Sequence, residues 1–323
     1  MNQNYIIPNN WSIIEEGYAA GRVKSSESLF SLGNGAMGQR ANFEEHYSGP
    51  TFQGSYIGGV YYPDKTRVGW WKNGYPEYFA KVLNAPNWIG INLHINGERL
   101  DLNACKKVDD FRRELNMKEG WYERRFTATL QNGTELRVVS KRFLSLTVDE
   151  LGAIAYSVTP LNADAKILAE PYLDSGIRNE DTNWEEHFWE TLDITQEGLQ
   201  ACIVAKTLKT HFHVGAFMQL DATLNGTPLT IEGRTKKTSD YIGIEFEKDI
   251  RRGQTLTIYK YGGYVTDMNH DKDRLVSAAK NVLKKTAAGF SALLEQQKDA
   301  WRKIWETADI VIEGDVKAQQ GIR

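Results

Sequence analysis

The sequence predicts a mainly β protein: a large two-sheet antiparallel sandwich followed by a helical linker. Three observations carry this. Apolar residues alternate in short runs from Asn87 to about Val265. Asn-Gly and Gly turn signals separate the runs. Near residue 270 the apolar period changes from that of a strand to that of a helix.

In chain order, the first stretch of note is Glu27 to Glu45, where Gly33, Gly35 and Gly38 fall close together and Asn34-Gly35 is a turn signal. The polar residues after it, Gln39, Arg40, Asn42, Glu44 and Glu45, are too many for a strand with one dry face. A tight, ordered loop with a charged cluster is expected. A second stretch, Gly58 to Pro76, mixes aromatics with glycines and charges. Then Ile89, Ile91, Leu93 and Ile95 alternate, Asn96-Gly97 turns, and Leu100 and Leu102 resume. Phe111, Arg113, Leu115 and Met117 share one strand face, as do Tyr122, Arg124, Phe126, Ala128 and Leu130. Asn132-Gly133 and Asn225-Gly226 mark two further hairpins, and Ile242, Ile244 and Phe246, then Leu256 and Ile258, alternate again.

Leu275, Val276, Ala279, Val282 and Leu283 form a helical stripe that Asn269 or Asp271 can cap. Gly289 breaks it, and a second stripe runs through Phe290, Leu293, Leu294, Trp301, Ile304 and Trp305. Ala308 to Asp315 reads as a short strand and turn, and Val316 to Arg323 as the opening of another helix. The expected division is residues 1–268 for the sandwich, 269–307 for the helical linker and 308–323 for the first residues of a further domain.

Composition limits function. At 323 residues, with 41% hydrophobic and 25% charged residues, the chain has the balance of a soluble globular protein. A net charge of -3 gives no basic field for nucleic acid. Cys105 and Cys202 lack the spacing of a zinc site or a disulfide scaffold and are expected as free thiols. Met1 to Asn10 has no signal-peptide pattern and no run is long enough to span a membrane, so the cytoplasm is the expected location.

The chemical motifs are sparse. Gly33-Asn-Gly-Ala-Met-Gly38 fits G-x-G-x-x-G, but no crossover helix follows, so nucleotide binding is not expected. Glu44-Glu45 and Glu185-Glu186 are adjacent acids; on a strand they would point to opposite faces, which favours solvated or locally paired carboxylates over an acid/base dyad. His211 and His213 would share one strand face, without a third ligand for a metal. Trp70 and Trp71 cannot both face one core from a strand, so one is expected at a domain, subunit or ligand contact.

The segments Glu27 to Glu45, Gln53 to Val60, Pro63 to Pro76 with Asn84-Ala-Pro86, and the tail Ala300 to Trp305 and Asp309 to Arg323 resemble glycoside hydrolase family 65, the family of the maltose, kojibiose and trehalose phosphorylases. The resemblance spans the chain, dense at both ends and reduced to strand rhythm from Ala163 to Ser239. Ala36 and Ala41 depart from the family's habit of an aromatic residue and a glycine. It implies a galactose mutarotase-like super-sandwich, a helical linker and an (α/α)6 catalytic barrel of which only the first residues would be present. The implied reaction is inverting phosphorolysis: maltose and phosphate give β-glucose 1-phosphate and glucose. The general acid would lie beyond Arg323, so no catalytic residue, metal or cofactor is carried onto this sequence, inorganic phosphate being the co-substrate. Implied partners are the disaccharide and phosphate, the chain's own barrel and a second subunit. The loops holding Asn34, Arg40 and Glu44, and Trp70, Trp71 and Lys72, are candidates for interface or active-site-covering roles. Two rivals stand beside this. A free-standing carbohydrate-binding module would give heat on titration with maltose or glucose, and none is expected. A mutarotase-like epimerase would need His94, His211 and His213 to meet a carboxylate in one cleft.

Overall fold

The computed structural model describes residues 5–66, 74, 76–179 and 187–323. It is built around one antiparallel sheet. Its strands include Ser12–Glu16, Lys107–Asn116, Trp121–Thr129, Glu135–Leu144, Leu151–Pro160, Leu256–Thr266, His213–Leu224, Gln200–Thr207 and Trp189–Glu197, in that spatial order. A five-stranded sheet holding Ile91–Ile95, Ala165–Asp174 and Tyr241–Ile250 lies across one face. The main core joins the two sheets, with Ile91, Leu93 and Ile167 from the smaller and Phe126, Val138 and Ile258 from the larger. The sandwich expected from the alternation is therefore present, with unequal sheets.

The turn signals act as their chemistry requires. Asn96-Gly97 and Asn225-Gly226 both take positive φ at both positions, the type I′ requirement. Asn132-Gly133 behaves differently: Gly133 alone has positive φ, and Leu130 bonds across the loop to Thr134.

The helices do more than follow the sandwich. Helix α1 (Val23–Leu29) precedes the glycine hairpin. Helix α2 (Leu275–Leu283), reached through a turn whose Asp271 caps Asp273, and helix α3 (Gly289–Ala308) fold back onto the outer face of the large sheet. There Leu275, Ala279, Val282, Phe290 and Leu293 join Phe143, Cys202, Phe217 and Tyr261 in a second core. Gln200–Thr207 is buried on both faces, so its sequence runs apolar continuously instead of alternating. Helix α4 (Val316–Ile322) forms as expected, but residues 308–315 make no strand.

Gly120 shows how closely α3 is seated. Its φ is +67° and a Cβ there would overlap the indole nitrogen of Trp301, while its carbonyl accepts from Gln297 Nε2 at 3.1 Å. Gly120→Ala is expected to cost at least the roughly 1–2 kcal/mol of a left-handed non-glycine residue, read as a lower urea midpoint with earlier proteolysis within α3.

Candidate functional site

The glycine stretch forms a small hairpin, Leu32–Gly33 against Met37–Gln39, which then pairs with Ser55–Ile57. Asn34 makes the turn: its Oδ1 accepts from the N–H of Ala36 at 3.1 Å and of Met37 at 2.9 Å. Its Nδ2 donates to the carbonyls of Ser145 and Asp149, 2.8 Å each, tying the hairpin to the large sheet. A strand, not a helix, follows the glycines, so the phosphate-cradling geometry of a dinucleotide loop is absent here.

Arg40 braces the same loop. It donates to the Ser28 hydroxyl at 2.7 Å and to the carbonyls of Lys24 at 2.9 Å and Phe52 at 3.2 Å. It lies 3.8 Å from Glu27, which also accepts from Thr51 and from the Phe52 N–H. Burial pushes the Glu27 carboxyl up, only partly offset by those donors.

Glu44 and Glu45 overturn the expectation of solvated or merely local carboxylates. Both are buried, at 1% and 3% exposure. The strand premise fails because they lie in a bend, which turns both side chains inward. Arg124 donates to both Glu45 oxygens at 2.6 Å and to Glu44 at 2.8 Å. Arg142 donates to the other Glu44 oxygen at 2.7 Å and to the carbonyls of Asn42 at 2.9 Å and Arg40 at 2.8 Å. The Tyr156 hydroxyl completes the cluster on Glu45 at 3.0 Å. Alongside, Arg113 Nε sits 3.0 Å from Glu15. Burial alone would raise the Glu44 carboxyl, but the Arg142 and Arg124 guanidiniums outweigh it and hold it below its ordinary range. Burial would likewise depress Arg124, and Glu45 and Glu44 reverse that and raise it well above its usual value. Tied on every oxygen and closed to solvent, these acids hold a loop in place and are not presented to a partner or a substrate.

A further inward basic side chain lies in the same sheet. Lys260 Nζ donates to the carbonyls of Gly90 at 2.8 Å and Tyr172 at 2.6 Å. Burial depresses its amine well below the usual lysine range. Two acceptors match the two hydrogens of a neutral amine.

Arg142 and Lys260 were not singled out from the sequence, and Arg113 and Arg124 were noted only by face. The signal was nonetheless present: Arg113 and Arg124 occupy the parity of Phe111 and Phe126, and Arg142 that of Leu136 and Val138. A guanidinium at an apolar-parity position stays charged and so demands a buried anion, whereas a lysine there can shed its proton.

The histidines do not converge. His94 is in the smaller sheet, while His213 begins the strand His213–Leu224 of the larger and contacts Asp267 at 3.1 Å. His211 precedes that strand in a left-handed turn, φ +58°, so it does not share a strand face with His213. The cleft required by an epimerase is not formed by these residues. Among the described residues, no group of three or more His, Cys, Asp and Glu could hold a metal ion. Trp70, Trp71, Lys72, Glu185 and Glu186 lie outside the described residues.

What the hairpin presents outward is a concave, weakly polar face. A concavity of about 480 Å³ is floored by Gly35, Gly38 and Gly58 and walled by Tyr56, Tyr61 and Val82. Tyr61 and Val82 belong to a two-stranded arm, Tyr61–Lys65 with Tyr78–Val82, on which Val82 is 60% and Tyr78 53% exposed.

The model of the glycosyl hydrolase family 65 N-terminal domain matches residues 13–304. The chain belongs to glycosyl hydrolase family 65. Over its full length it is 40% identical to the maltose phosphorylase of Bacillus subtilis strain 168. It is 31% identical, over 97% of the chain, to the α,α-trehalose phosphorylase of Thermoanaerobacter brockii. In each case it spans 42% of the relative's length. A solved structure, described as a putative kojibiose phosphorylase from human microbiome, superposes with a TM-score of 0.88 at 25% identity, covering 99% of this chain and 41% of that one. The family 65 resemblance read from Glu27 to Glu45 thus falls on the segment that carries the hairpin and its buried anchor.

No described helix is long and apolar enough to cross a membrane.

Proposed function

We propose that this chain is the N-terminal sandwich of an inverting glycoside phosphorylase acting on an α-linked glucose disaccharide, maltose being the favoured substrate. The observation that carries the reading is the full-length 40% identity to a maltose phosphorylase, against 31% to the trehalose enzyme. In the inverting scheme one carboxylic acid protonates the leaving oxygen. Phosphate, already an anion, takes the place of the base-activated water, so no metal or organic cofactor is required. The general acid belongs to sequence beyond Arg323, as does the phosphate site. This chain's part is mechanical. Arg142 and Asn34 fix the glycine hairpin, and the apolar arm beside it offers a face to the catalytic barrel or to the second subunit of a cytoplasmic dimer. The boundaries near residues 268 and 307 follow from the same reading: α2 and α3 join the sandwich to the barrel.

The test is a pair of proteins, this chain alone and the protein continued through the barrel. Given maltose and phosphate, the longer one is expected to form β-glucose 1-phosphate, seen by phosphorus NMR, and the shorter one none. Sugar phosphate from the purified short chain, or trehalose turned over faster than maltose by the long one, refutes the assignment.

A further inference from the structure

The chain contains five Asn-Gly pairs, beginning at Asn34, Asn73, Asn96, Asn132 and Asn225. Such a pair carries a chemistry beyond its turn geometry. The glycine nitrogen, once deprotonated, can attack the asparagine Cγ, and the missing Cβ leaves that approach open. The pairs differ in what holds the reacting groups; Asn73 lies outside the described residues. Asn96 and Asn225 form a matched comparison. Their φ angles are +53° and +50°, and those of Gly97 and Gly226 are +84° and +80°. Each Oδ1 accepts at 2.8 Å from a backbone N–H across the turn, of Lys166 and Thr255 respectively. Each asparagine N–H donates to the carbonyl of that same residue. The difference is at Nδ2. In Asn96 it donates to Thr134 Oγ1 at 3.2 Å. In Asn225 it has no partner among the described residues, and neither has the Gly226 N–H. Asn132 is tied more firmly, with Oδ1 accepting from the Thr134 N–H at 2.9 Å, Nδ2 3.4 Å from the Ile95 carbonyl, and the Gly133 N–H donating to Leu130 at 3.1 Å. Asn34 is held by two bonds at each side-chain atom. Asn225 and Gly226 are exposed, and beyond them only Thr227–Pro228 pairs back onto the strand His213–Leu224, so little must open for the turn to move.

We infer that Asn225-Gly226 is a self-modification site, the fastest of the described Asn-Gly pairs to close to a succinimide and open to isoaspartate. The Gly226 nitrogen gives its proton to solvent base and forms a bond to Asn225 Cγ. The Cγ–Nδ2 bond breaks, and ammonia leaves with a proton taken from water. Water then adds to one imide carbonyl and opens the ring, to aspartate or to isoaspartate, with no change of oxidation state. In isoaspartate the main chain runs through the side-chain carbon and is one atom longer. Either product places a carboxylate where the amide had accepted from the Thr255 N–H. At Asn96 the same steps first require the Thr134 bond to open. The inference does not depend on the phosphorolysis reading.

The experiment ages this 323-residue chain in mildly alkaline buffer, well below its melting temperature, and follows amide loss by mass spectrometry. Asn34, Asn96, Asn132 and Asn225 fall in four different tryptic peptides, so each rate is read separately. Asn225 is expected to convert about 2- to 10-fold faster than Asn96, the effect of one ordinary hydrogen bond that must open first. Asn132 and Asn34 are expected to be slower still. Thr134→Ala is expected to bring Asn96 up to the rate of Asn225 and to leave Asn225 unchanged. In guanidinium chloride the four rates are expected to converge, because the fold alone separates them. Equal rates at Asn225 and Asn96 in the folded chain, no gain at Asn96 in Thr134→Ala, or the same ranking kept in denaturant overturns the inference. Because catalysis is not read, loss of the phosphorylase assignment would leave this result standing, and the reverse.

Discussion

Arg124→Leu is expected to lower the stability of the domain by about 3–5 kcal/mol, the range for removing one partner from a buried ion pair. The substitution strands Glu44 and Glu45 together, both buried and both facing where the guanidinium was. Arg142 still reaches Glu44, but Glu45 keeps only the Tyr156 hydroxyl among these donors. Arg124→Lys retains the charge without the planar fork and should fall between wild type and leucine. Adding Glu45→Leu to Arg124→Leu should recover part of the loss, since an apolar pair is less costly than a lone buried charge. Urea unfolding at neutral pH measures all three; a loss below about 1 kcal/mol for Arg124→Leu would mean that water reaches the cluster. Acid acts on the same contacts. Glu44 has a folded-state pKa below its unfolded one, so its contribution is present above about pH 4.3 and is lost as pH falls through the lower folded value.

The same cluster separates what was legible in the sequence from what was not. The hairpins were legible because Asn-Gly turns and period-two alternation are local chemistry, and Asn96-Gly97 and Asn225-Gly226 needed nothing from the rest of the chain. Helices α2 and α3 were legible by period, but not their return onto the sheet, since a stripe says that a face is buried and not against what. Glu44 and Glu45 were misread for a specific reason. The two-face rule presumes a strand, and the bend after the hairpin breaks it. Their partners Arg124 and Arg142 come from strands about 80 and 100 residues away. The inward parity of those arginines was the usable clue. It announces a buried anion without naming which.

Lys260 gives the second large effect, and its sign is opposite to that of the acid cluster. The unfolded chain holds this lysine protonated until about pH 10.4, whereas the folded chain surrounds the amine with two carbonyls and no carboxylate contact. Its folded pKa is well below the usual value because burial penalises the charge. Through the window between the folded pKa and the unfolded one, the unfolded state therefore binds one more proton, and stability rises with pH by about 1.4 kcal/mol per unit. Other groups titrate in the same range and oppose this. Burial raises the Cys105 and Cys202 thiols to about 12, so their unfolded forms ionise first and stability falls with rising pH. Subtracting a variant cancels them. The stability of wild type minus that of Lys260→Met should climb with pH across the window between the depressed folded pKa and the unfolded one, approaching the one-proton slope inside it. At the acid end of that window the methionine variant should be the more stable, despite leaving the Tyr172 carbonyl without its amine donor. Parallel pH profiles for the two proteins would mean that the amine enters the core charged, and that a counter-charge such as Glu44, which acts on it through space, governs its ionisation more strongly than burial does.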